Sequence, residues 1–318
     1  MTHGEVSAAD RSRLIAAGLA EDFVAPVAAL ERFVEDWSFE LDDPLTLSRF
    51  LLGKPENLME AKDRVTQARD WRARTDLCRI MHEWGVQKDM VWSWEPQTER
   101  AKALAPHFFG RCIAARTASG GPVIVLRLGE FDLEGAVRED MVDDLMDPWI
   151  FLIEQAFQDC RSVSLSKRSL VKLSAIVDVD GVSLSWLQHM SVLEQFSRAI
   201  NRNYPEMAAT LTIVRAPVVF SWLWQVSAPL LLEDMTRRKF AILGHDFEAG
   251  LVEHARVDLR ELPECLRGRS TDTANSQEAP TPVRFRPGAR LALPTRPCPP
   301  RPAACVAREF KHAVMIVI

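Results

Sequence analysis

The chain has 318 residues, 47% hydrophobic and 26% charged, the profile of a globular protein whose core needs no disulfide or metal staples. Its net charge of −5 is uneven: residues 269–318 hold eight Lys/Arg against three Asp/Glu, leaving an acidic body that argues against nucleic acid, whose phosphates need a basic face. No run reaches the ~18–20 apolar residues of a membrane span, and the N-terminus lacks a signal-peptide pattern, so a cytoplasmic protein with free thiols is expected.

In chain order, residues 8–85 read as helical. Asp43 caps a helix with Pro44 at its first position, followed by Leu47, Phe50 and Leu51 at i, i+3, i+4. A second helix is predicted from Pro55, with Leu58, Ala61, Val65, Ala68 and Trp71 on its buried face. Residues 86–110 are Trp-rich and receive no element. From 111 strands and helices alternate: a strand at Pro122–Leu128, a helix at Asp140–Asp159 bent at Pro148, and a strand at Leu170–Val179. A helical stripe follows through Leu184, Leu187, Met190, Leu193, Phe196 and Ile200. Then come a strand at Leu211–Arg215, a helix at Val218–Leu231 and a strand at Phe240–Leu243. Helices between successive strands predict right-handed crossovers and a mostly parallel sheet, an α/β fold. The division expected is a helical segment over 8–85, a lobe over 86–268, and a disordered Pro/Arg-rich tail over 269–318.

Catalytic signatures are missing from this α/β pattern. There is no G-x-G-x-x-G, no G-x-x-x-x-G-K-[ST] and no G-x-S-x-G. The six cysteines, at 78, 112, 160, 265, 298 and 305, include no CxxC pair, and the seven histidines are dispersed. Asp178, Asp180 and Gly181 read as a tight turn after a strand, since the other ligands of a cation loop are absent.

The informative stretch is Tyr204 to Gly244. It contains Tyr204-Pro205-Glu206, Ala216-Pro217, an apolar segment from Val218, Thr236 and Lys239, and Ile242-Leu243-Gly244. With Asp43 to Leu51, the pairs Ala61-Lys62 and Trp71-Arg72, Gly121-Pro122-Val123 and Ile176-Val177-Asp178, these pieces resemble the CRAL-TRIO family over about residues 40–268. The resemblance implies an N-terminal helical cap on a lobe with a mostly parallel sheet, an apolar lipid pocket and a mobile gate helix. The gate and pocket candidates are Phe220, Trp222, Leu223, Trp224, Leu230 and Leu231. A helix apolar on nearly all sides is either plain core or a surface for lipid, and tryptophan suits a membrane interface.

In the phosphatidylinositol-transfer members of the family, residues matching Glu206, Thr236 and Lys239 hold the head group. Lys54 stands in for a basic pair, of which Leu52-Gly53-Lys54-Pro55 retains one member. Glu206 and Lys239 serve a head group or form an ordinary surface pair. A second departure is Leu262-Pro263-Glu264-Cys265-Leu266-Arg267-Gly268, where the family usually has Leu-Pro and a Gly-Gly turn.

The expected function is non-enzymatic binding and transfer of one lipid, phosphatidylinositol favoured. The expected form is a monomer with no cofactor and no metal, in transient contact with membrane surfaces. The alternatives are a lipid-responsive signalling adaptor, a carrier of a tocopherol or retinoid, and, least favoured, a small-ligand α/β hydrolase.

Overall fold

The computed structural model describes residues 6–37, 41–52, 56–88, 91–182, 190–217 and 237–270. Five helices open the chain: α1 (Ala8–Ala16), α2 (Glu21–Val34), α3 (Pro44–Arg49), α4 (Leu58–Arg74) and α5 (Leu77–Trp84). Their starts follow local chemistry. Asp43 accepts the Thr46 N–H at 2.9 Å with Pro44 in the first turn, which satisfies one of the orphan amides of a helix start. α4 begins at Leu58 rather than at Pro55, because the Asn57 side chain accepts the Glu60 N–H and sets the boundary. Ala61, Val65 and Ala68 are buried, and Leu58 and Trp71 are partly so.

The stretch 86–110, unassigned from sequence, carries regular elements among its described residues. A hairpin, β1 (Gly85–Lys88) with β2 (Val91–Trp94), is followed by α6 (Glu99–Leu104) and a 3-10 turn at Ala105–His107. Its short strands are held by an aromatic cluster: Trp94 packs on Trp84, Phe108 and Phe151 at centroid distances of 5.1, 5.7 and 5.6 Å. Tertiary packing overrides weak local propensity here.

A five-stranded sheet runs β3 (Gly110–Arg116), β4 (Pro122–Arg127), β5 (Leu173–Asp178), β6 (Ala208–Val214) and β7 (Phe240–Ile242), in that spatial order. The β3–β4 pair is antiparallel and the other neighbours are parallel. β3 carried no strand assignment from sequence, since its mixed edge pattern lacks a clean period. Between strands lie α7 (Leu133–Arg138), α8 (Met146–Lys167) and α9 (Met190–Asn203), and α10 (Glu248–Ala255) follows β7.

The bend expected at Pro148 is corrected. α8 starts at Met146, after a 3-10 turn at Asp143–Leu145, so Pro148 occupies the first helical turn, where a missing N–H breaks no hydrogen bond. The helix continues past Asp159 to Lys167, and Arg168 closes it in the left-handed region at φ 50°. The predicted helix at Val218–Leu231, the first residues of the 184–200 stripe and residues 271–318 of the tail lie outside the described residues.

The sheet buries both faces by strict alternation. Val123, Val125, Ile176 and Val214 pack against Phe247, Leu251, Ala255, Leu262 and Leu266. Ile124, Leu126, Leu173, Ala175 and Val177 face the larger core, which includes Trp149, Phe151 and Ile153 of α8 and continues into α2, α3 and α4. The DVDG stretch is a turn. The Asp180 N–H donates to Asp178 Oδ1 at 3.1 Å, Asp178 accepts from Arg215, and Gly181 takes φ 78°. Among the described residues no group of side chains could hold a metal ion.

Candidate functional site

The larger core does not close completely over the sheet. A cavity of about 370 Å³ lies between the strands and the helices, within the roughly 300–1,000 Å³ usual for ligand pockets. Its floor is Ile124 and Leu126 of β4, Leu173, Ala175 and Val177 of β5, Leu211 of β6 and Phe240 of β7. Trp149 and Ile153 of α8 and Phe196 and Ile200 of α9 form walls, with Trp149 and Phe196 stacked at 5.1 Å. Polar atoms come from few places: Arg64 of α4, Ser197 and Asn201 of α9, and the segment Tyr204 to Glu206 with Lys239.

The Tyr204-Pro205-Glu206 turn explains itself locally. The Tyr204 N–H closes α9 onto the Ile200 carbonyl at 2.8 Å, and Pro205, without an N–H, cannot extend the helix. Glu206 then takes φ 54°, a sparsely occupied backbone state for a non-glycine residue. Arg49 stabilises it. Arg49 is 1% exposed, and its guanidinium donates to the carbonyls of Glu206 at 3.0 Å and Val171 at 2.6 Å. Burial pushes the Arg49 guanidinium below its ordinary value, yet an arginine stays charged.

The Glu206 carboxylate is bridged by two ammonium groups, Lys172 Nζ at 2.6 Å and Lys239 Nζ at 2.9 Å, both on Oε2. Burial raises the carboxyl pKa, but the hydrogen bonds from the two lysines outweigh it and hold Glu206 below the usual carboxylate range. Burial lowers Lys172, against the pull of Glu206, and the nearby Lys239 charge adds to the lowering. Glu206 and Lys239, singled out from sequence, are therefore brought together at the cavity. Lys54, Thr236, Phe220, Trp222, Leu223, Trp224, Leu230 and Leu231 lie outside the described residues.

Beneath this end a buried network ties the helical segment to the lobe. Glu154 accepts two hydrogen bonds from Arg72 at 2.9 and 2.8 Å, one from the Tyr204 hydroxyl at 2.7 Å, and one from Gln158 at 2.7 Å. Burial pushes the Tyr204 phenol well above its ordinary value, and the adjacent Glu154 charge adds to it. The hydroxyl therefore remains a donor. Arg161 Nε donates to Asp43 at 2.6 Å, a third tie across the same boundary.

The sequence reading missed Arg64, Lys172, Ser197 and Asn201. For Arg64 a signal existed: it shares a helical face with Ala61, Ala68 and Trp71, so a cation interrupts an apolar stripe. Lys172 carried none, because its partner Glu206 is set by the crossover from β5 to β6.

Residues 111–268 match the family model described as the CRAL/TRIO domain. A CRAL-TRIO domain-containing protein of Caenorhabditis elegans is 26% identical over 242 residues, covering 74% of this chain and 31% of the relative. The protein real-time of Drosophila pseudoobscura pseudoobscura is 28% identical over 214 residues, covering 64% and 31%. The chain thus spans about a third of the length of these relatives. Among solved structures, the crystal structure of Sfh5 aligns with a TM-score of 0.48 and 14% identity, over 79% of this chain and 85% of that one.

Proposed function

This chain belongs to the CRAL/TRIO family through residues 111–268, and on that footing we propose that it encloses a single lipophilic molecule, a phosphatidylinositol, and exchanges it with membranes. The observation that carries the proposal is the cavity itself, apolar along the sheet and, among the described residues, supplied with charge by Arg64, Glu206 and Lys239. That polarity fits an amphiphile whose chains lie on Ile124, Leu126, Ala175 and Val177 and whose head meets the charged end. Moving an acyl chain out of water is worth about 0.8 kcal/mol per CH₂, so an apolar cavity competes with a bilayer without covalent chemistry. Exchange then requires contact with a membrane surface, a role we assign to the apolar segment containing Phe220, Trp222, Leu223, Trp224, Leu230 and Leu231.

For the head group we assign Glu206, Thr236, Lys239 and Lys54. A Lys ammonium suits a phosphodiester, and a carboxylate accepts from inositol hydroxyls. Glu206 already satisfies Lys172 and Lys239, so ligand entry would exchange part of one interaction for another. Mass spectrometry of lipids extracted from the purified protein, alongside the double variant Glu206→Ala/Lys239→Ala, tests the assignment. Stoichiometric phosphatidylinositol that is lost in the variant is the expected result. A neutral lipid, such as a tocopherol or retinoid, held equally by both proteins would refute the head-group assignment. Absence of any lipid from the folded protein would favour the adaptor role, which the threefold greater length of the relatives leaves room for.

A further inference from the structure

Arg64 lines the cavity from α4, on the helical segment, outside the stretch matched by the family model. α4 packs against α9, which brings Arg64 beside the face carrying Ser197 and Asn201. These two residues sit one turn apart, with Asn201 Nδ2 donating to Ser197 Oγ at 3.2 Å, and both line the cavity. Arg64 is half-buried, and among the described residues its guanidinium has no hydrogen-bond or ion-pair partner. The neighbouring cations are engaged: Lys172 and Lys239 on Glu206, and Arg49 on the carbonyls of Glu206 and Val171.

A guanidinium at the cavity wall that no described protein group engages has its donors available to an anionic ligand. Its planar fork matches two phosphate oxygens at once, which a lysine cannot do. Among the described residues, the charged groups lining the cavity are Arg64 and Lys239 against Glu206, one net positive charge, and the second lysine on Glu206 adds to it.

We propose that Arg64 is a specificity-determining residue that grips the phosphate of an anionic phospholipid and disfavours a zwitterionic one, with Ser197 and Asn201 available to head-group hydroxyls. The proposal rests on the lipid-binding function above. A phosphodiester with an uncharged polyhydroxyl head presents a net negative charge to Arg64. A choline head adds a quaternary ammonium close to the Arg64 guanidinium, and discrimination comes from that repulsion as much as from the attraction.

The test uses the full chain incubated with phosphatidylcholine vesicles containing a minor fraction of phosphatidylinositol, with protein-bound phospholipids then quantified. Enrichment of phosphatidylinositol over the vesicle composition is expected for the parent protein. In Arg64→Gln that enrichment falls about tenfold, as for loss of one charge-assisted contact, while phosphatidylcholine loading is retained. Arg64→Lys, which keeps the charge without the fork, recovers part of it.

Unchanged enrichment in Arg64→Gln overturns the proposal. So does an equal loss of both lipids at an unchanged melting temperature, which would make Arg64 a packing residue. A parent protein that takes up neither lipid refutes the lipid-binding function itself. In a further arm, deacylated glycerophosphoinositol is added without vesicles. Negligible binding is expected, and binding as tight as that of the vesicle lipid would reassign the site to soluble phosphates.

Discussion

Replacing Arg72 with methionine probes the tie between helical segment and lobe, because Met keeps an unbranched stem and removes the guanidinium, which lies 6.0 Å from the ring centroids of Tyr204 and Phe157, with its charge and its donors. Arg72 and Glu154 have side chains 8% and 4% exposed and meet through two parallel hydrogen bonds. Without Arg72, Glu154 keeps the Tyr204 hydroxyl and Gln158, two neutral donors for a full buried charge. Breaking a buried pair on one side costs about 3–5 kcal/mol. At roughly 2–4 °C per kcal/mol for a domain of this size, the melting temperature falls by roughly 6–20 °C.

The pH dependence carries a sharper sign. Burial raises the Glu154 carboxyl, but Arg72, Gln158 and Tyr204 outweigh it and hold the group below its ordinary value. A depressed carboxyl adds stability above its unfolded pKa, and that stability is lost as pH falls through the folded value. In Arg72→Met burial dominates and the folded pKa rises above the unfolded one. The ionised group then penalises the fold, and the penalty fades as pH falls through the raised value. The deficit of the variant relative to the parent is therefore largest near neutrality and shrinks on acidification. Urea unfolding of both proteins at several pH values between neutrality and about pH 4.5 reads it out. Adding Glu154→Gln to the variant recovers part of the loss at neutral pH. A deficit under about 1 kcal/mol at pH 7, or one that grows on acidification, would refute the account.

Arg49→Met leaves the carbonyls of Glu206 and Val171 without the donor they now share, at a cost of about 2–3 kcal/mol. Denaturant melts check this, and a stability equal to the parent's would mean that the Glu206 turn holds itself. Ala175→Phe places a ring in the cavity from the centre of its floor. Extractable lipid per protein should fall about tenfold while the fold survives, since the added volume enters existing space rather than packed core. Undiminished lipid would place the ligand elsewhere.

Much of the fold was legible in the sequence because it rests on short-range signals. Asp43-Pro44 announces a helix start, Val123 to Leu126 reads as a strand buried on both faces, and Asp178-Val179-Asp180-Gly181 reads as a turn. Each is decided within a few residues. The hairpin at Gly85–Trp94 and strand β3 were not legible, because what holds them comes from distant positions: Phe108 and Phe151 around Trp94, and the edge of β4 beside β3. The Pro148 bend failed for a local reason, since the helix start depends on the preceding 3-10 turn rather than on the proline.

The site divides in the same way. Order along the chain, Tyr204-Pro205-Glu206 and later Lys239, was enough to nominate two charged residues. Only the tertiary structure supplied the second cation on that carboxylate, Lys172, and placed Arg64 at the cavity, because they come from the residue preceding β5 and from a separate helix. The sequence by itself determined the alternation of strands and helices, the apolar character of the sheet and the family to which the lobe is similar, all properties of local pattern. Packing decided how the helical segment docks, through Arg49, Arg72 and Arg161, and where a cavity remains between sheet and helices. A cavity is the volume left when distant side chains meet, and no window of sequence contains it.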